Sequence, residues 1–84
     1  MTHELKILPC YYQAVLSGNK TFEVRENADR GFQACDIVLL QEYDDNQGVY
    51  TGREMGFSIG YVLPIDYNRV VFSLIKPAYK KVDE

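Results

Sequence analysis

The sequence predicts an α+β protein, mostly β, folded as one small barrel of about six mainly antiparallel strands with one short helix near the N-terminus. Three observations predict it. Segments with period-two alternation or β-branched content recur along the chain between clusters of Gly, Pro, Asn and Asp. Only one segment carries helical spacing. A chain of 84 residues has little material with which to cover open sheet edges, so closure is the economical solution.

The elements follow in order. Residues 3–8, "HELKIL", alternate loosely and stop at Pro9, whose missing N–H suits the first position of a helix. From Pro9 to Ser17, Tyr12, Val15 and Leu16 stand at i, i+3 and i+4 and give one apolar stripe. Gly18 or Asn19 can take the left-handed conformation that ends such a helix. "KTFEVRE" then alternates as a half-buried strand, which places Phe22 and Val24 on one side and Thr21, Glu23 and Arg25 on the other. "NADRGFQACD" reads as a loop pinned to the core by Phe32. "IVLLQEY" is a buried strand, "DDNQG" a hairpin connection and "VYTGR" its short return strand. "MGFSIGYVL" forms a separate strand in which Gly56 and Gly60 mark a bulge or bend, and "PIDYN" is a loop. "RVVFSLIK" is the last strand, and residues 78–84 are expected as a frayed tail on a single domain spanning 1–84.

Composition excludes several classes. Apolar residues make up 46% of the chain, with seven Tyr and four Phe, which supports one folded core rather than disorder. A net charge of −3 excludes a protein that coats nucleic acid by charge alone, so such contact needs a local patch. No apolar run approaches a membrane span and no secretory leader is visible, so the expected location is cytoplasmic. Cys10 and Cys35, without CxxC or His-rich spacing, read as reduced packing cysteines with no metal or other cofactor implied. Adjacent acids Glu42, Asp44 and Asp45 read as solvated hairpin surface, since nothing supplies ligand spacing around them.

Chemistry concentrates at "SGNKTFEVREN". Glu23 and Arg25, two apart on a strand, stand roughly 7 Å apart at the backbone, and Lys20 at the helix-to-strand corner reaches the same space. The trio offers one acceptor for base or amide N–H groups and two cations for phosphate or a polarised carbonyl. The bland alternative is a solvated ion pair beside a capping lysine.

Gly18, Lys20, Glu23 and Arg25 spell G-x-K-x-x-E-x-R between a short helix and a strand, which resembles the signature of ASCH domains, relatives of the PUA fold. "HELKILPCYYQAVLSGNKTFEVREN", "DIVLLQEYD" and "YTGRE" resemble a subgroup of small bacterial and phage-type ASCH-like proteins of unassigned function, over nearly the whole chain. The resemblance implies a PUA-like β-barrel whose cleft beside the helix receives the lysine, glutamate and arginine. It implies RNA or a nucleotide-like ligand as the partner. Some small members resemble amidohydrolases acting on N-acylated cytidine nucleosides, with Lys20 and Glu23 as the corresponding pair here. A threonine stands in those enzymes where this chain has Glu23, and a carboxylate does not replace a hydroxyl nucleophile in acyl transfer.

Further candidates surround the motif. Thr21 is the hydroxyl within it, although threonine is favoured in strands for packing alone. His3 can supply a hydrogen bond or a pH-sensitive contact. In the following loop, Asn27 and Arg30 can meet a ligand, whereas Asp29 fits turn chemistry. Tyr50 and Arg53, flanking Thr51, pair an aromatic with a cation as single-strand sites do. Lys76, Lys80 and Lys81 make the C-terminus locally basic. Three readings stand: an RNA- or nucleotide-binding module, a small amidohydrolase on a modified nucleoside, and a regulatory protein-interaction module. The sequence leaves the oligomeric state open.

Overall fold

The computed structural model describes residues 1–26 and 30–81, with side chains through Ile75. Five strands and one helix follow one another as β1 (Thr2–Ile7), α1 (Pro9–Leu16), β2 (Phe22–Glu26), β3 (Ile37–Asp44), β4 (Val49–Pro64) and β5 (Arg69–Lys81). The strands form one sheet in the order β1-β3-β4-β5-β2, curled into a half-barrel. Four of the strands meet antiparallel, while β1 pairs with β3 in parallel, from Thr2 opposite Ile37 to Ile7 opposite Glu42. A parallel neighbour needs a long crossover, and the chain between β1 and β3 supplies it with α1 and β2.

Two strand boundaries differ from the sequence expectation. "VYTGR" and "MGFSIGYVL" are one continuous strand, β4, so the sheet has five strands rather than about six. Its irregularities are absorbed as register shifts against β5 around Gly56–Ser58 and between Ile59 and Val62. Gly52, at φ +96°, takes a conformation costly for other residues and lets the strand bend without ending. At the C-terminal end, β5 runs through Pro77 to Lys81, pairing Tyr79, Lys80 and Lys81 with Gly56, Met55 and Glu54.

The core sits in the concavity of the sheet beneath α1. Leu5 and Ile7 from β1, Val38 and Leu40 from β3, Met55, Phe57 and Ile59 from β4, and Val70 and Phe72 from β5 meet Tyr12 and Val15 from the helix. Phe32 pins its loop as expected, its ring 4.6 Å from that of His3 and 4.9 Å from that of Phe72. The two cysteines depart from expectation: Cys10 and Cys35 are both exposed rather than packed.

The end of α1 positions the motif. Gly18 turns the chain at φ +84°, and the Asn19 and Lys20 amides both donate to Ala14 O at 3.0 Å. This closing turn satisfies helix carbonyls and throws the chain back toward the sheet. Lys20 therefore leaves a fixed corner, and β2 begins two residues later.

Candidate functional site

The face of β2 is the reverse of the one its apolar residues suggest. Phe22 and Val24 are 45% and 44% exposed, whereas Glu23 is 3% exposed. Register explains the inversion. Glu23 lies opposite Phe72 and Arg25 opposite Val70, both core residues, while Phe22 and Val24 face outward with Ser73 and Val71. Strand alternation fixes which residues share a face but not which face turns inward. Here the charged face lies inside, at an edge of the sheet where polar partners are present.

Glu23 has those partners on both oxygens. Lys20 Nζ donates to Glu23 Oε2, and Arg25 Nε donates to Glu23 Oε1 at 2.9 Å. Arg25 Nη2 also donates to the Lys6 carbonyl at 2.9 Å, tying β2 to the free edge of β1. Lys20 Nζ lies 5.7 Å from the Tyr11 ring centroid and 5.4 Å from that of Phe22, so two aromatic rings flank the ammonium group. The trio opens onto a cleft of about 490 Å³ lined by Lys6, Ile7, Leu8, Tyr11, Lys20, Glu23, Val24 and Arg25. That volume lies within the range of small-molecule sites. Two cations, Lys20 and Arg25, face one carboxylate there, so the cleft is positive within an acidic chain, while the Lys6 ammonium sits 4.1 Å over the ring of Tyr43, which is not among the lining residues. Among the described residues lining it there is no Ser, Thr or Cys, and Thr21 is exposed outside it.

The remaining expected site residues scatter. His3 points into the core rather than the cleft. Its Nε2 lies 2.9 Å from Asp36 Oδ2, and that hydrogen bond is the main reason the Asp36 carboxyl is held below its ordinary range. Arg30 is exposed and donates from Nη1 to the Glu4 carbonyl at 3.0 Å, further along the same edge of β1. Asn27 and Asp29 lie outside the described residues. Tyr50 and Arg53 border a different hollow of about 340 Å³, with Glu4, Gln41, Glu42, Gly52 and Glu54.

Arg53 is already engaged there. Its Nε and Nη2 each donate to Glu42 at 2.9 Å, and its guanidinium lies 4.7 Å over the Tyr12 ring. Thr51 adds a 2.6 Å hydrogen bond to the same carboxylate. Glu42 is 4% exposed, which corrects its expected place on the solvated hairpin surface. Arg53 hydrogen bonding holds the Glu42 carboxyl below its ordinary range against the opposing effect of burial. Burial in turn raises the Tyr12 phenol, whose hydroxyl has no hydrogen-bond partner among the described residues. The pattern in "IVLLQEYD" carried a signal for this, since Val38, Leu40 and Glu42 share a parity. Tyr11 and Lys6, both in the cleft lining, were not singled out by the motif because exposed residues carry no burial pattern. Among the described residues no group of three or more His, Cys, Asp or Glu could hold a metal ion, and no helix is long and apolar enough to cross a membrane.

Fold and site together define a small half-barrel with a cationic, carboxylate-floored cleft between its capping helix and an edge strand. The chain belongs to the DUF3850 family, described as a domain of unknown function, whose profile matches residues 2–73. It is also 40% identical over 53 residues to an uncharacterized 12.9 kDa protein in the GpA 3′ region of Escherichia phage P2. That match covers 63% of this chain and 46% of the phage protein, so the chain spans less than half the length of that relative.

Proposed function

We propose that the protein is an RNA- or nucleotide-binding module of the ASCH/PUA-like kind, with the cleft at Lys20, Glu23 and Arg25 as its ligand site. The observation that carries this reading is the buried Glu23 carboxylate held between two cations at the floor of an open cleft. A carboxylate keeps lone pairs beyond the two used by Lys20 and Arg25, so it can accept from the N–H edge of a base. Lys20 and Arg25 keep donors for a carbonyl or phosphate of the same ligand. Tyr11, 52% exposed at the rim, offers a ring on which a base can stack at about 1–3 kcal/mol. The G-x-K-x-x-E-x-R pattern between helix and strand adds the resemblance to ASCH domains.

Lys20 gives the test, because its side chain reaches the cleft from a turn whose hydrogen bonds are made by backbone. Lys20→Ala is expected to weaken binding of nucleoside monophosphates at least tenfold in calorimetric titration, the equivalent of about 1.4 kcal/mol. Its melting temperature should fall by only a few degrees, since Arg25 still compensates Glu23. Unchanged affinity in the variant, or no binding of any nucleotide by the wild type, would remove the reading.

A further inference from the structure

The half-barrel ends in two strand edges, β1 and β2, that are not paired with each other. Two arginine side chains bridge the gap. Arg25 donates to the carbonyl of Lys6 and Arg30 to that of Glu4, at 2.9 and 3.0 Å. Those carbonyls lie two residues apart on β1, or about 6.6 Å at roughly 3.3 Å per residue. Such a spacing suits consecutive phosphates of an extended single strand.

Neither guanidinium is saturated. Each has five N–H donors; among the described residues Arg25 sets Nε and Nη2 on Glu23 Oε1 and shares Nη2 with the Lys6 carbonyl, which leaves Nη1 free, and Arg30 directs Nη1 at Glu4. On the far side of the bridge from the Lys20 cleft lies a second groove of about 520 Å³, lined by Met1, Thr2, His3, Glu4 and Arg30. The two hollows thus take their β1 lining from successive stretches of the strand and its flanks, residues 1–4 and residues 6–8. From residue 1 to residue 8 the path is about 23 Å, room for about three nucleotides and the two phosphates that join them. Charge favours the same track. Lys20, Arg25 and Arg30 border the seam against Glu4 and Glu23, whereas the hollow on the Tyr50 side is lined by Glu4, Glu42 and Glu54 with Arg53 already paired.

We propose that the β1–β2 seam binds a short single-stranded RNA segment, with one base in the Glu23 cleft and the next two phosphates on Arg25 and Arg30. The inference rests on the reading of the cleft as a nucleotide site and adds a ligand length, a track and a role for Arg30. Arg25 holds both the seam and the base-binding carboxylate, so it couples the two halves of the site.

The test is a calorimetric series of mixed-sequence ligands: nucleoside, dinucleotide, trinucleotide and hexanucleotide, all without terminal phosphates. Affinity is expected to rise about tenfold per phosphodiester up to three nucleotides and then level off, each step being comparable to one charge-assisted contact. The trinucleotide should show a slope of log K against log salt near −1.4, at about −0.7 per phosphate on a single strand. Arg30→Ala should bring the trinucleotide down to the dinucleotide's affinity, and Arg30→Lys should restore part of the difference. If the nucleoside binds but affinity stays flat with length, or Arg30→Ala leaves the trinucleotide-to-dinucleotide ratio intact, the seam proposal is overturned while the cleft reading survives. If no member of the series binds, both fall.

Discussion

Arg53→Ala should destabilise the protein through the carboxylate it leaves behind rather than through the contact it removes. In the pair, the Glu42 side chain is 5% exposed and that of Arg53 is 26% exposed. Removing one member of a buried ion pair costs about 3–5 kcal/mol. Water reaches the quarter-exposed arginine, and Thr51 continues to donate to Glu42, so about 2–3 kcal/mol is the expected cost here. The total stability of 84 residues is on the order of 4–13 kcal/mol, so a substantial fraction is at stake. At roughly 4–8 °C per kcal/mol for a domain of this size, the midpoint of thermal unfolding at pH 7 should drop by roughly 10–20 °C. Circular dichroism reads it directly.

The pH dependence identifies the mechanism. In the wild type, hydrogen bonding from Arg53 lowers the folded-state Glu42 pKa. Its contribution to stability is therefore complete above the unfolded value of about 4.3 and is lost as pH falls through the lower folded value. Without Arg53 the carboxylate is buried with one neutral donor, and protonation relieves the penalty. The gap between variant and wild type should thus narrow as pH is lowered through the carboxylate range. In a Glu42→Leu background the same substitution should cost much less, because no charge remains to be stranded. A gap of less than about 3 °C at pH 7, or one that does not narrow toward acid, would refute the assignment of Arg53 as the partner of a buried charge.

Two further outcomes test the packing. Gly60→Ala would place a Cβ 2.5 Å from Ile75 Cδ1 and 2.6 Å from Ser73 Oγ, and Ser73 Oγ accepts the Tyr61 N–H. Ile75 can swing toward solvent but Ser73 cannot move without losing that bond, so a loss of about 1–2 kcal/mol in denaturant unfolding is expected. Val24→Thr should change stability by no more than about 0.5 kcal/mol, because Val24 faces outward; a cost above about 1.5 kcal/mol would mean that the apolar face of β2 is the buried one.

Much of this fold was legible in the residues. Pro9 and Gly18 bound the helix as their conformational preferences require, and Tyr12 and Val15 are buried as their spacing indicates. The hairpin after Asp44 also forms where expected, with Asp44 Oδ1 accepting from the Asn46 and Gln47 amides. The motif residues Lys20, Glu23 and Arg25 do meet, because the turn at Gly18 and the period of β2 bring them to one point. What was not legible depends on partners distant in sequence. The alternation of β2 separates Phe22 and Val24 from Glu23 and Arg25 without saying which pair turns inward: an edge strand takes its facing from the register with β5, and the charge on Glu23 is compensated only once Lys20 and Arg25 converge on it. Glu42 looked like surface because Asp44 and Asp45 follow it; the arginine that permits its burial lies 11 residues away across the hairpin. The continuity of β4 was hidden by glycines that break strands in isolation and bend them in a curled sheet.

The most direct test of the central claim is to map backbone amide shifts of the isotope-labelled protein during titration with nucleoside monophosphates. Concentration of the changes on Tyr11, Lys20, Glu23 and Arg25, with Tyr50 to Glu54 unaffected, is the predicted result. Changes centred on Tyr50, Gly52 and Arg53, or none anywhere at millimolar ligand, would contradict the account.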